Sequence, residues 1–220
     1  IGLRQAETIH REDRRPLHAS ALWEAFKIVL SHRVVVVSTA MQTLSLAGLF
    51  ATLSATQPIF DVTFGRASEF PFWFAMIALL SGSASFLNAR VVMRVGMRGM
   101  ISRALVAHTV FTAVMTAAWA IGVWPVEATF WAHLLWTISV FFVTGLTMGN
   151  LNALAMEPVG HQAGMASSVI GAVSTVLSVV LAVPVGLAFD GSPLPLMMGV
   201  LAFCVANLVL MQWLPKGAAR

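Results

Sequence analysis

The chain has 220 residues, of which 58% are hydrophobic and only 10% are charged, and its mean hydropathy is +0.84. Since a soluble domain carries about a quarter of its residues as charged side chains, this composition excludes an ordinary soluble protein and predicts a membrane protein. The net charge of +4 does not indicate nucleic-acid binding, because the arginines stand between apolar runs, as they do in membrane-protein loops.

The opening segment is charged along its length and has no apolar stretch typical of a signal peptide. It starts with Ile1 and not with Met, so we expect the chain to begin partway through something longer. The stretch 19–33 then places four apolar side chains on one helical face: Leu22, Trp23, Phe26 and Leu30. This pattern predicts a short amphipathic helix lying in the membrane interface; a solvated linker helix is the alternative.

Six segments are long and apolar enough to cross a bilayer, which takes about 20 residues as a helix. The predicted spans are 34–60, 70–89, 104–123, 130–155, 163–189 and 194–214. Helices are expected because every backbone polar group in lipid must be satisfied within its own segment. The predicted fold class is therefore all-α, a polytopic six-transmembrane-helix bundle over 34–214, with a cytoplasmic linker at 1–33 and a cytoplasmic tail at 215–220.

The lysines and arginines predict the orientation of this bundle. All of them except Arg66 fall on one side of the predicted spans, and that side is expected to be cytoplasmic. Because six spans return the chain to the side on which it started, both termini are predicted to be cytoplasmic.

The fifth predicted span, AGMASSVIGAVSTVLSVVLAVPVGLAF, is unusually rich in small residues. Twelve of its 27 residues are Gly, Ala or Ser, and none is charged. Small side chains let helix backbones approach closely in lipid, and Pro184 can kink the helix. We expect one helical face to pack closely and to be remade during movement, with a static helix contact as the alternative. Its residues are Gly164, Ser167, Gly171, Ser174, Ser178, Ala182 and Gly186.

Several spans carry uncharged polar side chains that are unfavourable in contact with lipid. They predict a shared polar cavity for a small, weakly polar or amphiphilic solute. The candidates for that cavity are Gln42, Ser45, Thr52, Asn150, Ser167, Ser174 and Ser178.

The sequence offers no pattern that indicates an enzyme, a metal site or a cofactor. It has no phosphate-binding glycine loop, no His/Cys cluster and a single cysteine, Cys204. His108 and His133 are the histidines within spans, and a haem between them is not expected because they are predicted to lie at different depths. We expect each to be a hydrogen-bonded packing residue.

The order of these features resembles the C-terminal half, spans seven to twelve, of a major facilitator superfamily transporter, and more narrowly the bicyclomycin-resistance (Bcr/CflA) group of drug efflux carriers. The resemblance is carried by ETIHREDRRPL (7–17), FATLSATQPIFDVTFG (50–65), NALAMEPVGHQAGMASSVIGAVSTVL (152–177) and AFDGSPLPL (188–196). The cytoplasmic loop motif of the superfamily is matched weakly by ARVVMRVGMR (89–98). Arg94, Gly96 and Arg98 agree with it, whereas Met93 replaces the acidic residue.

The resemblance implies a secondary transporter of the bacterial inner membrane that couples drug efflux to protons. It implies a site near the bilayer midplane between two six-helix halves, so the expected partners are membrane lipid, a small-molecule substrate and an N-terminal half of the same transporter. It also places Gln42, Ser45, Asn150 and the face formed by 167–178 beside the solute path. Two alternatives stay open: a half-size carrier working as a homodimer, and a haem-bearing or enzymatic membrane subunit.

Overall fold

The computed structural model describes Trp23, Lys27 and residues 31–215, with the side chains of 161–163 left out. The described residues are helical with no strand, which confirms the all-α prediction. Five of the helices are long and apolar enough to cross a membrane. They are α1 (Arg33–Pro58), α2 (Phe70–Ala120), α3 (Val126–Met156), α4 (Ala163–Leu187) and α5 (Leu194–Trp213).

Helix α2 contains two of the predicted spans, 70–89 and 104–123, and reverses direction between them. Gly96, with φ 72° and ψ 162°, is the non-helical residue inside it. Before the glycine, Ile77 packs with Phe130 and Ala84 with Leu146. After it, Met100 packs with Leu146 and Met115 with Trp136. The two legs of α2, residues 70–95 and 97–120, therefore run antiparallel to each other, and both lie against α3.

The stretch 90–103 differs from the sequence interpretation, which treated it as a loop. It is helical on both sides of Gly96. Arg, Met, Val and Ile are compatible with a helix, so the stretch stays helical. The chain turns at Gly96 because the φ and ψ of this residue are open almost only to glycine.

Helix α1 occupies the centre of the bundle and packs against α3, α4 and α5, while α2 packs against α3 and α5. The side chains of Val35, Met41 and Ala51 along α1 are fully buried. Helix α4 contacts mainly α1, so much of its surface is exposed.

The two ends of the bundle differ in chemistry. At the aromatic end, Phe60, Phe64, Phe70, Trp73 and Phe130 meet edge to face at centroid distances of 5.3–5.7 Å. The Arg66 guanidinium at that end lies 4.3 Å from the Phe130 ring centre and pairs with Glu69 at 3.2 Å. The basic end is the one at which α2 reverses; its arginines are Arg90, Arg94, Arg98 and Arg103.

One connection at the aromatic end is fixed by hydrogen bonds. The Thr63 hydroxyl donates to the Gly191 carbonyl at 2.8 Å and joins the turn after α1 to the turn after α4. The hydroxyl and backbone N–H of Ser192 both donate to Asp190. These donors hold the pKa of that carboxyl below its ordinary value.

Parts of the predicted organisation lie outside the described residues. Most of the predicted interfacial helix over 19–33 and all of 216–220 belong to this group. Trp23 and Lys27 are described, and the Lys27 ammonium lies 5.6 Å from the Trp23 ring centre.

Replacing Gly96 by Ala tests the reversal. We expect Gly96→Ala to lower the free energy of unfolding by about 1–3 kcal/mol, because a Cβ is strained at this φ and ψ. Gly82→Ala is the matched control, since neither glycine has an atom within 4 Å of an added Cβ and only Gly96 has a positive φ. Thermal unfolding in mild detergent measures both; equal stabilities of the two variants would contradict the strained reversal.

Candidate functional site

Most buried hydroxyls of α1 are satisfied by their own helix. Thr39, Thr43, Thr52 and Thr56 each donate to the carbonyl four residues earlier. Such a bond uses the one donor of the hydroxyl, so these side chains could contact a ligand only as acceptors. Thr52, predicted to face the solute cavity, is therefore already paired with the Gly48 carbonyl at 2.7 Å.

Six buried side-chain polar atoms of the described residues have no hydrogen-bond partner, and three of them lie on α1 and α4: Ser38 Oγ, Gln42 Nε2 and Ser174 Oγ. Helices α1 and α4 run parallel, because Val35 packs with Ala166 and Ile170, and Ser54 lies 3.2 Å from where a Gly186 Cβ would stand. Both helices rise by the same amount per residue, so counting along each helix from the Val35 contact to the Ser54 contact places Gln42 and Ser174 at about the same depth in the bundle.

We call this line of contact the α1–α4 seam. Buried polar groups without partners are rare and need an explanation such as water or a ligand. The seam therefore contains the strongest signal for solute binding among the described residues, and it includes two of the predicted cavity residues, Gln42 and Ser174.

The seam widens at the aromatic end into an open groove of about 370 Å³, within the range of small-molecule sites. Its walls are apolar apart from Ser54, whose hydroxyl donates to the Ala51 carbonyl at 3.0 Å. Such a groove can hold an apolar body but offers few polar contacts. Its lining residues include Phe50, Pro58, Val179, Val183, Leu187 and Phe189.

Ser45 belongs to a different polar site, where α1 meets α5. Asn207 Nδ2 donates to Ser45 Oγ at 3.3 Å, while Asn207 Oδ1 is buried without a partner. The cavity beside them is about 20 Å³ and is also lined by His108, Thr144 and Thr147. This volume suits one water molecule and excludes a drug-sized solute from this part of the bundle.

Asn150 has a structural role in the bundle. Its Nδ2 donates to Asn88 Oδ1 and to the Leu146 carbonyl, both at 2.7 Å. The side chain thus joins α3 to the first leg of α2. The sequence interpretation placed it beside the solute path, and the structure places it in an interhelical bond away from the seam.

His108 belongs to a polar network between α2 and α3, which the sequence alone does not connect. The Trp136 indole N–H donates to Thr112 Oγ1 at 3.3 Å, and that hydroxyl lies 3.4 Å from His108 Nε2. The other ring nitrogen of His108 lies 3.4 Å from Ser139 Oγ, which donates to the Trp136 carbonyl at 2.6 Å. A neutral His108 that donates from Nδ1 and accepts at Nε2 closes this ring.

His133 lies beside this network, toward the aromatic end, and its Nε2 is 3.4 Å from Thr137 Oγ1 on the same helix. Its ring is fully buried between Phe64, Trp119 and Trp136, at centroid distances of 5.6–6.4 Å. Its Nδ1 has no hydrogen-bond partner. No group of three or more His, Cys, Asp or Glu side chains that could hold a metal ion occurs among the described residues.

The predicted small-residue face of α4 does not form one contact. Ser174, Ser178 and Ala182 are buried toward α1, and Ser178 donates to the Thr175 carbonyl at 2.7 Å. Gly164, Ser167 and Gly171 are exposed, as is Pro184. The two glycines have no atom within 4 Å of an added Cβ. The seven residues stay on one side of the helix by their spacing, so the face divides along its length: the first three are exposed, and the later ones are buried or half-buried.

The closest helix contacts use glycines that the sequence interpretation did not select. An added Cβ at Gly199 would lie 2.6 Å from Val185, and one at Gly145 would lie 3.1 Å from Ala84. Both are isolated glycines within apolar helices, and such residues are enriched at membrane helix contacts. Gly186 is the predicted packing glycine that does lie in a close contact, with Ser54.

The loop-motif residues occur together at the basic end. Arg94 and Gly96 are exposed and Arg98 is half-buried. Gly96 makes the reversal of α2, while neither arginine has an ion-pair partner within the part of the chain that the structure describes.

The comparison with curated proteins found one relative that supports the resemblance. The chain is 29% identical over 173 residues to the bicyclomycin resistance protein homolog of Haemophilus influenzae. The match covers 76% of this chain and 41% of the relative, so it involves less than half of the relative's length. No protein-family model and no solved structure matches the chain. Together with the apolar helices, this relative identifies the chain as an integral membrane protein similar to a drug-resistance protein.

Replacing Gly199 by Ala tests the close contact between α4 and α5. We expect Gly199→Ala to lower the free energy of unfolding by about 1–3 kcal/mol, because the new methyl group overlaps Val185. Gly171→Ala, on the exposed side of α4, is the control and should cost nothing. Thermal unfolding in detergent compares the two variants. If Gly171→Ala loses as much unfolding free energy as Gly199→Ala, the predicted small-residue face of α4 is in close contact at Gly171.

Replacing Thr112 by Val tests the histidine network. The change leaves the Trp136 N–H and His108 Nε2 unpaired, so we expect a loss of about 1 kcal/mol in the free energy of unfolding. Thr116→Val is the control, because its hydroxyl donates only to the Thr112 carbonyl in the same helix. Reversible unfolding in detergent micelles, followed by tryptophan fluorescence, supplies both values. Equal losses would mean that Thr112 contributes no interhelical bond.

Proposed function

We propose that this protein is part of a secondary active transporter of the Bcr/CflA type in the major facilitator superfamily, and is not an enzyme. Its proposed activity is proton-coupled efflux of drugs or other small amphiphilic compounds across the bacterial inner membrane, with both termini cytoplasmic. The similarity to the bicyclomycin resistance protein homolog carries this proposal. The helical bundle and the unpartnered polar groups of the α1–α4 seam support it.

In this proposal the seam forms one wall of the solute path. Gln42 and Ser174 supply hydrogen bonds at mid-depth, and the groove beside Phe50 and Phe189 receives the apolar part of the solute. Serine and glutamine side chains bind without a fixed charge, which suits solutes of varied polarity. The remaining wall is proposed to come from a second six-helix bundle, either an N-terminal half of the same transporter or a second copy.

The coupling proton is proposed to bind outside the described spans. No Asp or Glu stands in the middle of a described helix; the carboxylates of this part of the chain are Asp61, Glu69, Glu127, Glu157 and Asp190, all near helix ends. A carrier that couples to protons usually places such a group within the membrane. The second bundle is therefore the proposed source of that carboxylate.

The size of the native product tests which bundle completes the path. An antibody raised against LPKGAAR, residues 214–220, would be used to probe membranes of the source cell. A band near twice the 23.6 kDa of this chain supports one transporter with two halves. A band at 23.6 kDa assigns the second wall to another copy and overturns the two-half arrangement.

Replacing Gln42 by Leu in that native product tests the solute path. We expect proton release driven by bicyclomycin in proteoliposomes to fall about tenfold, since one lost hydrogen bond of about 1.4 kcal/mol has that effect. Thr43→Val is the control, because its hydroxyl donates to the Thr39 carbonyl within α1. An unchanged rate in Gln42→Leu would remove the seam from the solute path.

A further inference from the structure

The first leg of α2 has one face that changes from apolar to basic along its length. Residues 72, 79, 86, 90 and 93–94 follow one another at helical spacings of three, four or seven and therefore share that face. Its apolar members are highly exposed: Phe72 is 62% exposed, Leu79 is 78% and Phe86 is 74%. The face ends at the arginines Arg90 and Arg94, both exposed.

The arginines at this end are not neutralised within the described chain. Arg90, Arg94, Arg98 and Arg103 make no ion pair there. The sequence has no acidic residue between Glu69 and Glu127, so α2 brings no carboxylate to its own reversal. Glu157, after α3, is the described carboxylate at the basic end, and it has no ion-pair partner either.

The reversal gathers positive charge on both legs of α2. Arg98 follows Gly96 directly into the second leg, and Arg103 is exposed one turn further on. Met93, 87% exposed, stands between Arg90 and Arg94 and gives this end an apolar contact as well. Apolar and basic side chains side by side are typical of a surface at the boundary between hydrocarbon and headgroups.

We propose that this face binds an anionic phospholipid, with its phosphate at Arg90 and Arg94 and an acyl chain along Phe86 and Leu79. From Leu79 to Arg90 the helix rises about 16 Å over eleven steps. That length matches one leaflet of a hydrocarbon core about 30 Å thick. Arginine forms paired hydrogen bonds to phosphate oxygens, and Arg98 and Arg103 add to the positive potential there.

The apolar face below the arginines distinguishes this ligand from a free anion. A small phosphate would use the guanidinium groups alone and would gain nothing from Phe86. A phospholipid contacts both parts, so its affinity depends on the arginines and on the apolar face together. The site is separate from the α1–α4 seam, and its test does not require transport.

Native mass spectrometry of the full protein in mild detergent measures the lipid directly. Phosphatidylglycerol is titrated against phosphatidylcholine with the same acyl chains. We expect phosphatidylglycerol to be retained more tightly and Arg90→Gln/Arg94→Gln to weaken it about 30-fold, or about fivefold for each arginine. Arg66→Gln, at the aromatic end, is the charge-matched control and should retain the lipid. Equal retention of both lipids, or undiminished retention by the double glutamine variant, would overturn the site.

Two further arms identify the ligand chemistry. Arg90→Lys/Arg94→Lys keeps the charges and should keep most of the binding, and it remains available if the glutamine variant does not fold. Phe86→Ser should weaken the phospholipid but leave the fold intact, because Phe86 is exposed. If inorganic phosphate displaces the lipid and Phe86→Ser binds it normally, the arginines form a simple anion site and the proposal is wrong.

Discussion

A polar group inside a membrane protein must find its partner within the protein, because hydrocarbon offers none. This constraint explains how α1 can stand at the centre of the bundle while carrying many hydroxyls. Four of its threonines turn back to their own helix, which removes the penalty of burying them. The same constraint makes the exceptions informative. Of the six unpartnered groups, three (Ser38, Gln42 and Ser174) belong to the two helices of the seam, and the other three (Trp124, His133 and Asn207) lie elsewhere in the bundle.

The constraint also separates polar residues that hold the bundle together from those free to bind a solute. Asn150 donates to Asn88 across α2 and α3, and the network of His108, Thr112 and Trp136 closes between the same helices. These bonds fix one side of the bundle. The seam lies on the other side of α1 and contains polar groups without hydrogen-bond partners. In the proposed transporter, such a division would keep one surface rigid while another exchanges partners.

Glycines determine the shape of the backbone at two positions of the bundle. Gly96 reverses α2 because its backbone adopts a conformation that other residues avoid, and Gly199 lets α4 and α5 approach because a methyl group would not fit. The reversal has a chemical consequence, since it collects the arginines of both legs at one end. One end of the bundle is therefore basic while the other carries a cluster of rings, a difference that suits two different membrane surfaces.

The sequence by itself determined the class of protein, its long apolar helices and the collection of lysines and arginines on one side of the predicted spans. These features depend on local composition, on run length and on which residues stand next to one another along the chain. It also selected Gln42 and Ser174, because a polar residue within an apolar span is visible without a structure. Only the tertiary structure decided which polar groups are satisfied: Thr52 and Asn150 have partners, whereas Ser38, which was not selected, has none. It likewise decided that Gly199 packs closely while Gly164 and Gly171 do not. Partners and close approaches join residues far apart in the chain, so helical spacing can place a residue on a face but cannot say what that face meets.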